Sequence, residues 1–163
     1  MANKTKKLVF SALFAALVCV ATMVIKIPSP LNGYINLGDS VVLMCGWLLG
    51  PLYGFFAAGI GSALADIFSG YVVYAPATFI IKGVMALIAY GLHKKFKNET
   101  AGAIISAVVA EVIMCAGYYV FEGFMYGFGA SLVNIPPNMV QGVAGIIVGF
   151  ILVKIFKKSN IQF

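Results

Sequence analysis

Between Asn36 and Gly83 the chain reads NLGDSVVLMCGWLLGPLYGFFAAGIGSALADIFSGYVVYAPATFIIKG, apolar almost throughout yet carrying Asp39, Asp66 and Lys82. Charges inside so apolar a run are costly in lipid and face a bundle interior or a cavity. The run is not one helix, because Gly50-Pro51 interrupts it and proline removes a backbone donor and clashes with the preceding turn.

The rest of the chain has the same character. Hydrophobic residues make up 62% and charged residues 10%, against about 25% charged in a soluble domain. Such a chain is an integral membrane protein, and only helices or a closed barrel satisfy backbone polar groups in lipid. Its apolar runs are continuous rather than alternating, which selects helices. At 163 residues a single domain over 1–163 is expected.

The net charge of +6 comes from eleven lysines, with no arginine. Nine of them form three groups: Lys4, Lys6, Lys7; Lys94, Lys95, Lys97; and Lys154, Lys157, Lys158. Each group flanks an apolar run, the pattern of cytoplasmic membrane ends rather than of nucleic-acid binding. MANKTKK before an apolar run superficially resembles a signal peptide, but no small-residue cleavage site follows, so a retained first helix is expected. Cys19, Cys45 and Cys115 stand singly in apolar runs, as packing residues do.

Six spans are expected, at about 7–25, 39–50, 52–68, 77–92, 103–121 and 137–156, with loops at 26–38 and after the fifth span. The second is only about 12 residues, against the ~20 needed to cross alone. Asp39 at its start is placed to cap the helix. Ser11, Ala12, Ala15 and Ala16 form a small-residue face on the first span, suited to close helix approach within the chain or to a separate membrane subunit. On the fifth, Glu111, Cys115, Tyr118 and Glu122 share one face; on the sixth, so do Asn134, Asn138 and Gln141. The lone His93, among lysines at the end of the fourth span, reads as interfacial.

An even number of spans puts both termini, and with them all three lysine groups, on the cytoplasmic side. The fold class is therefore an all-α, six-transmembrane-helix bundle with both termini cytoplasmic. Asp39, Asp66, Lys82, Glu122, Asn138 and Gln141 then fall in the outer half, and only Glu111 lies nearer the middle. An outward-facing polar cavity is expected, rimmed by Tyr34, Tyr71, Tyr74, Tyr118 and Tyr119, with Asn36 a further contact. Lys82 either meets a ligand there or is neutralised by Asp39 or Asp66. Amides, carboxylates and aromatics together suit a small polar ring compound. No catalytic, metal or nucleotide motif is present, so neither an enzyme nor a cofactor is expected.

The pieces NLGD, LLGPLYG, GSALAD and YAPATFIIKG together resemble the S components of energy-coupling factor (ECF) transporters, most closely those assigned to hydroxymethylpyrimidine or pyridoxine. The resemblance covers nearly the whole chain. It implies capture of a vitamin outside the plasma membrane of a prokaryote and ATP-driven uptake by a separate module of one membrane scaffold subunit and two ATPases. It also implies that Ala12 and Ala16, with Ala15 beside them, form the AxxxA face that docks the scaffold. The loop after the first helix and helices four to six line the vitamin site in that family, which matches Tyr34, Asn36, Lys82, Glu122, Asn138 and Gln141 as positions. Two competing readings are an autonomous channel or secondary transporter, for which no internal repeat is visible, and a membrane enzyme using Asp39 and Asp66, which lacks a paired-acid or metal constellation.

Overall fold

The computed structural model describes residues 2–31 and 33–158. Among the described residues, five helices are long and apolar enough to cross a membrane: α1 (Ala2–Val24), α3 (Pro51–Phe68), α4 (Ala75–His93), α5 (Glu99–Tyr126) and α7 (Ile135–Lys158). Between α1 and α3 lies the expected short segment, α2 (Gly38–Met44), which runs on into a π-helical turn, Cys45–Leu49. Its 12 residues rise only about 18 Å at 1.5 Å each, so α2 does not cross a ~30 Å core by itself.

That shortness suits its place. All seven residues of α2 are buried, Asp39 and Ser40 among them. It packs against α1, α4 and α7, while α1, α3, α4, α5 and α7 follow one another around it. Val41, Val42, Leu43 and Cys45 meet Val18, Met85, Ala86, Ala110 and Met114 in the core. Outside, the bundle shows lipid-like solvent an apolar surface: Leu8, Leu13, Leu17 and Val24 on α1, and Val140, Val143, Ile147 and Ile151 on α7.

Two glycines set this geometry. Gly50 has φ +85°, a conformation costly for residues with a Cβ, and it turns the chain into α3, where Pro51 sits in the first turn. Gly61 lies so close to α1 that an added Cβ would stand 2.4 Å from the Ala15 carbonyl oxygen. Small residues thus bring α1 and α3 into backbone contact.

The connecting segments differ from the sequence expectation. Residues 26–38 are not a plain loop: Ile27–Pro28 (β1) pairs antiparallel with Tyr34–Ile35 (β2). α5 extends at both ends, begun by Asn98, whose side chain accepts from the Thr100 and Ala101 amides at 3.0 and 3.1 Å. After it, a short helix α6 (Phe128–Ser131) and a 3₁₀ turn (Leu132–Asn134) fold back. Phe128 packs over Gly123, where an added Cβ would lie 2.4 Å from its ring. Strands and turns this short carry no periodic signal of their own.

All three lysine groups gather at one end. Lys7 and Lys94 line one recess, and Lys157 pairs with Glu99 at 2.8 Å. His93 lies at the same end, its ring centre 6.3 Å from that of Trp47. The β1–β2 hairpin, the C-termini of α3 and α5 and the N-termini of α4 and α7 meet at the opposite end.

Candidate functional site

A cavity of about 40 Å³ opens at the hairpin end. Eight of the ten expected site residues line it: Tyr34, Asn36, Asp66, Tyr74, Tyr118, Glu122, Asn138 and Gln141. Ser29, Gly33, Tyr71 and Thr78 complete the wall. Thr78 lies one turn before Lys82 on α4, whereas Ser29 and Gly33 arrive only through the hairpin. Tyr119 is not on the wall; it packs on Phe128, ring centres 5.7 Å apart.

Asp39 and Lys82 lie one layer deeper. Both are buried, and they form an ion pair with each other, so of the two expected acids Asp39 neutralises the lysine. Gln141 donates from Nε2 to the second Asp39 oxygen at 2.6 Å. Its own Oε1 accepts from the Asn36 backbone amide at 2.9 Å and side-chain amide at 3.1 Å. One hydrogen-bonded path therefore runs from the hairpin loop through α7 and α2 to α4. Lys82 also stands 5.4 Å from the centre of the Tyr118 ring, where a cation meets the negative face of the π system.

The expectation that Asp39 caps α2 is corrected. No side chain caps at Leu37, the residue preceding the helix; instead Asn36 Oδ1 accepts from the Gly38 amide at 2.9 Å, an Asx turn. Asp39 is thereby free to point inward, where Lys82 claims it.

The remaining acids have different partners. Asp66 accepts from the Tyr34 hydroxyl at 2.6 Å, which ties the hairpin to the end of α3. Burial, with Asp66 beside it, holds the Tyr34 phenol well above its ordinary pKa, so this hydroxyl is a donor throughout the physiological range. Tyr34 also packs on Tyr71, ring centres 4.8 Å apart. Glu122 accepts from Asn134 Nδ2 at 2.8 Å. Glu111 is buried, and neither of its carboxylate oxygens has a hydrogen-bond partner among the described residues. An added Cβ at Gly145 would meet both Asp39 and Glu111, at 2.8 and 3.1 Å, so the two acids flank the same point on α7.

A second, larger recess of about 580 Å³ lies between α1 and α3 and is apolar. Ala12, Ala15 and Ala16 line it together with Leu8, Phe56 and Ile60. Ala12 and Ala16 are exposed, while Ala15 turns toward Gly61 and Ser11 donates to the Tyr53 carbonyl at 3.1 Å. The face that looked uniform in sequence is divided: half packs within the chain and half stays open. Among the described residues no group of three or more histidines, cysteines or acids is placed to hold a metal.

The structure is thus a helical membrane bundle with a buried helix at its centre and a small polar cavity under a tyrosine rim. The chain belongs to the family described as ECF-type riboflavin transporter, S component, whose model matches residues 2–158. It is 38% identical over 142 residues to an uncharacterized protein of Pyrococcus woesei, covering 86% of this chain and 95% of that one. It is 28% identical over 158 residues to the thiamine precursor transporter HmpT of Lactococcus lactis subsp. cremoris (strain MG1363), covering 95% and 88%. Among solved structures, the S component of a bacterial ECF transporter superposes with TM-score 0.79 at 25% identity, covering 95% of this chain and 97% of that one. An S component for biotin superposes at 0.68 and 20% identity, covering 96% and 93%, a likeness of fold alone. The chain is thus an integral membrane protein of a vitamin-binding family whose members work with a scaffold subunit and ATPases.

Proposed function

We propose that the cavity captures a small nitrogen heteroaromatic vitamin or precursor, hydroxymethylpyrimidine first and pyridoxine second, from outside the cell for ATP-driven uptake by a separate coupling module. The observation that carries this reading is the gathering of hydroxyl, amide and carboxylate groups from the hairpin, α3, α4, α5 and α7 around one tyrosine-rimmed cavity, at the end away from every lysine group. With the lysine end cytoplasmic, the cavity faces outward. Both termini then lie inside, and the segment 38–49 stands as the sixth, incomplete crossing.

The similarity to a thiamine precursor transporter supports the substrate class. Tyrosines stack on the ring, Asn138 and Gln141 read its hydroxyl and ring nitrogens, and Asp39 and Lys82 hold Gln141 from behind. About 40 Å³ holds only a few waters at 10–15 Å³ of probe volume each, so the hairpin must yield for a ring to enter. The open Ala12–Ala16 half of the α1–α3 groove docks the scaffold subunit.

Calorimetric titration of the purified chain with hydroxymethylpyrimidine, pyridoxine, thiamin and riboflavin tests the reading. The expected result is saturation by one of the two single-ring compounds without ATP. Saturation by riboflavin alone, or by none of them, contradicts it.

A further inference from the structure

We propose that Glu122, supported by Asn134, is the residue that selects an exocyclic amino group on the ligand's ring; this rests on the reading that the cavity takes a single-ring nitrogen heteroaromatic. Glu122 lies on the cavity wall and is 3% exposed; Asn134 beside it is 2% exposed. A carboxylate has room for about four hydrogen bonds. Glu122 has one firm donor, Asn134 Nδ2 at 2.8 Å to Oε1. The Tyr74 hydroxyl is 3.4 Å from the same oxygen, but gives its proton to the Leu31 carbonyl at 2.7 Å. Glu122 Oε2 and Asn134 Oδ1 are both buried with no partner among the described residues, and the described ion pairs do not include Glu122.

The other acids are not available in this way. Asp39 is neutralised by Lys82, Asp66 accepts from Tyr34, and Glu111 is not on the cavity wall. The hydroxyls and amides of the wall both donate and accept, so they do not discriminate between a donor and an acceptor on the ring. Glu122 does. Burying an acceptor without a donor is costly, and a ligand donor relieves that cost. An amino group brings an N–H donor to the open Oε2 of Glu122, the carboxylate that Asn134 holds in place from behind. A ring carbonyl at the same place sets an acceptor against a carboxylate and leaves Glu122 Oε2 unmet.

The test compares two ligands on one protein. The purified chain is titrated with 4-amino-5-hydroxymethyl-2-methylpyrimidine, with its 4-oxo analogue and with pyridoxine. The wild type should prefer the amino compound over the oxo compound by about 10- to 100-fold, the range of a hydrogen bond to a charged group. Glu122→Gln, which places a donor beside the ring, should reduce that preference to within about threefold. The wild-type comparison stands by itself if the variant does not fold. Equal binding of the amino and oxo compounds by the wild type, or an unchanged preference in folded Glu122→Gln, overturns the role of Glu122 and leaves the proposed function intact. Binding of none of the three overturns both.

Discussion

At the scale of single residues, the buried charges behave differently according to their partners. Lys82 and Asp39 neutralise each other, and Gln141 occupies the second oxygen of Asp39. Removing one member strands the other in the bundle, which costs about 3–5 kcal/mol, while replacing both by apolar residues costs far less. Lys82→Met should therefore lower the thermal midpoint of the purified protein strongly, and Lys82→Met with Asp39→Leu should recover most of the loss. Equal destabilisation by the single and double variants would show that the pair is not coupled. Glu111 makes the opposite case. Its side-chain oxygens have no donor among the described residues, so Glu111→Gln breaks no hydrogen bond, and the midpoint should stay or rise. The importance of Lys82 was readable in its apolar surroundings; its partner was not, because Asp39 and Asp66 looked equivalent in sequence until the Asn36 turn aimed one of them inward.

At the scale of elements, the hairpin and the α1–α3 contact govern the two recesses. The Tyr34–Asp66 bond at 2.6 Å ties β2 to α3 over the cavity. Tyr34→Phe keeps the ring and removes the tie, so ligand association and dissociation should both quicken by about fivefold or more, a tie worth about 1 kcal/mol, measured by stopped-flow. Unchanged rates would mean that the hairpin is not what the ligand must move. Gly61→Val drives a side chain into the Ala15 backbone and should destabilise by about 1–3 kcal/mol or more, as overpacking does. The long helices were legible because apolar length and flanking lysines are strong signals, and the short α2 was legible from Gly50-Pro51. The hairpin and the fold-back at 128–134 were not, because their geometry depends on tertiary partners such as Gly123 under Phe128. Those two segments carry Ser29, Gly33 and Asn134, so the parts of the site that sequence reading left vague are the parts built by them.

At the scale of the whole molecule, the two recesses divide the labour. On the proposed function, the polar cavity is the part that recognises the ligand and the apolar groove the part that meets the coupling partner. Ala12→Leu with Ala16→Leu fills the open half of the groove and should abolish uptake in cells carrying the coupling module, while calorimetric affinity for the ligand stays within about twofold. Loss of binding along with uptake would mean that the two recesses are not independent. The account stands or falls on where the ligand sits, and a crystal structure of the purified chain with hydroxymethylpyrimidine measures that directly. The expected result is ring density under Tyr34 and Tyr71, bounded by Tyr118, Asn138 and Glu122, with the Lys82–Asp39 pair intact behind Gln141. Density in the α1–α3 groove, with the polar cavity empty, would contradict it.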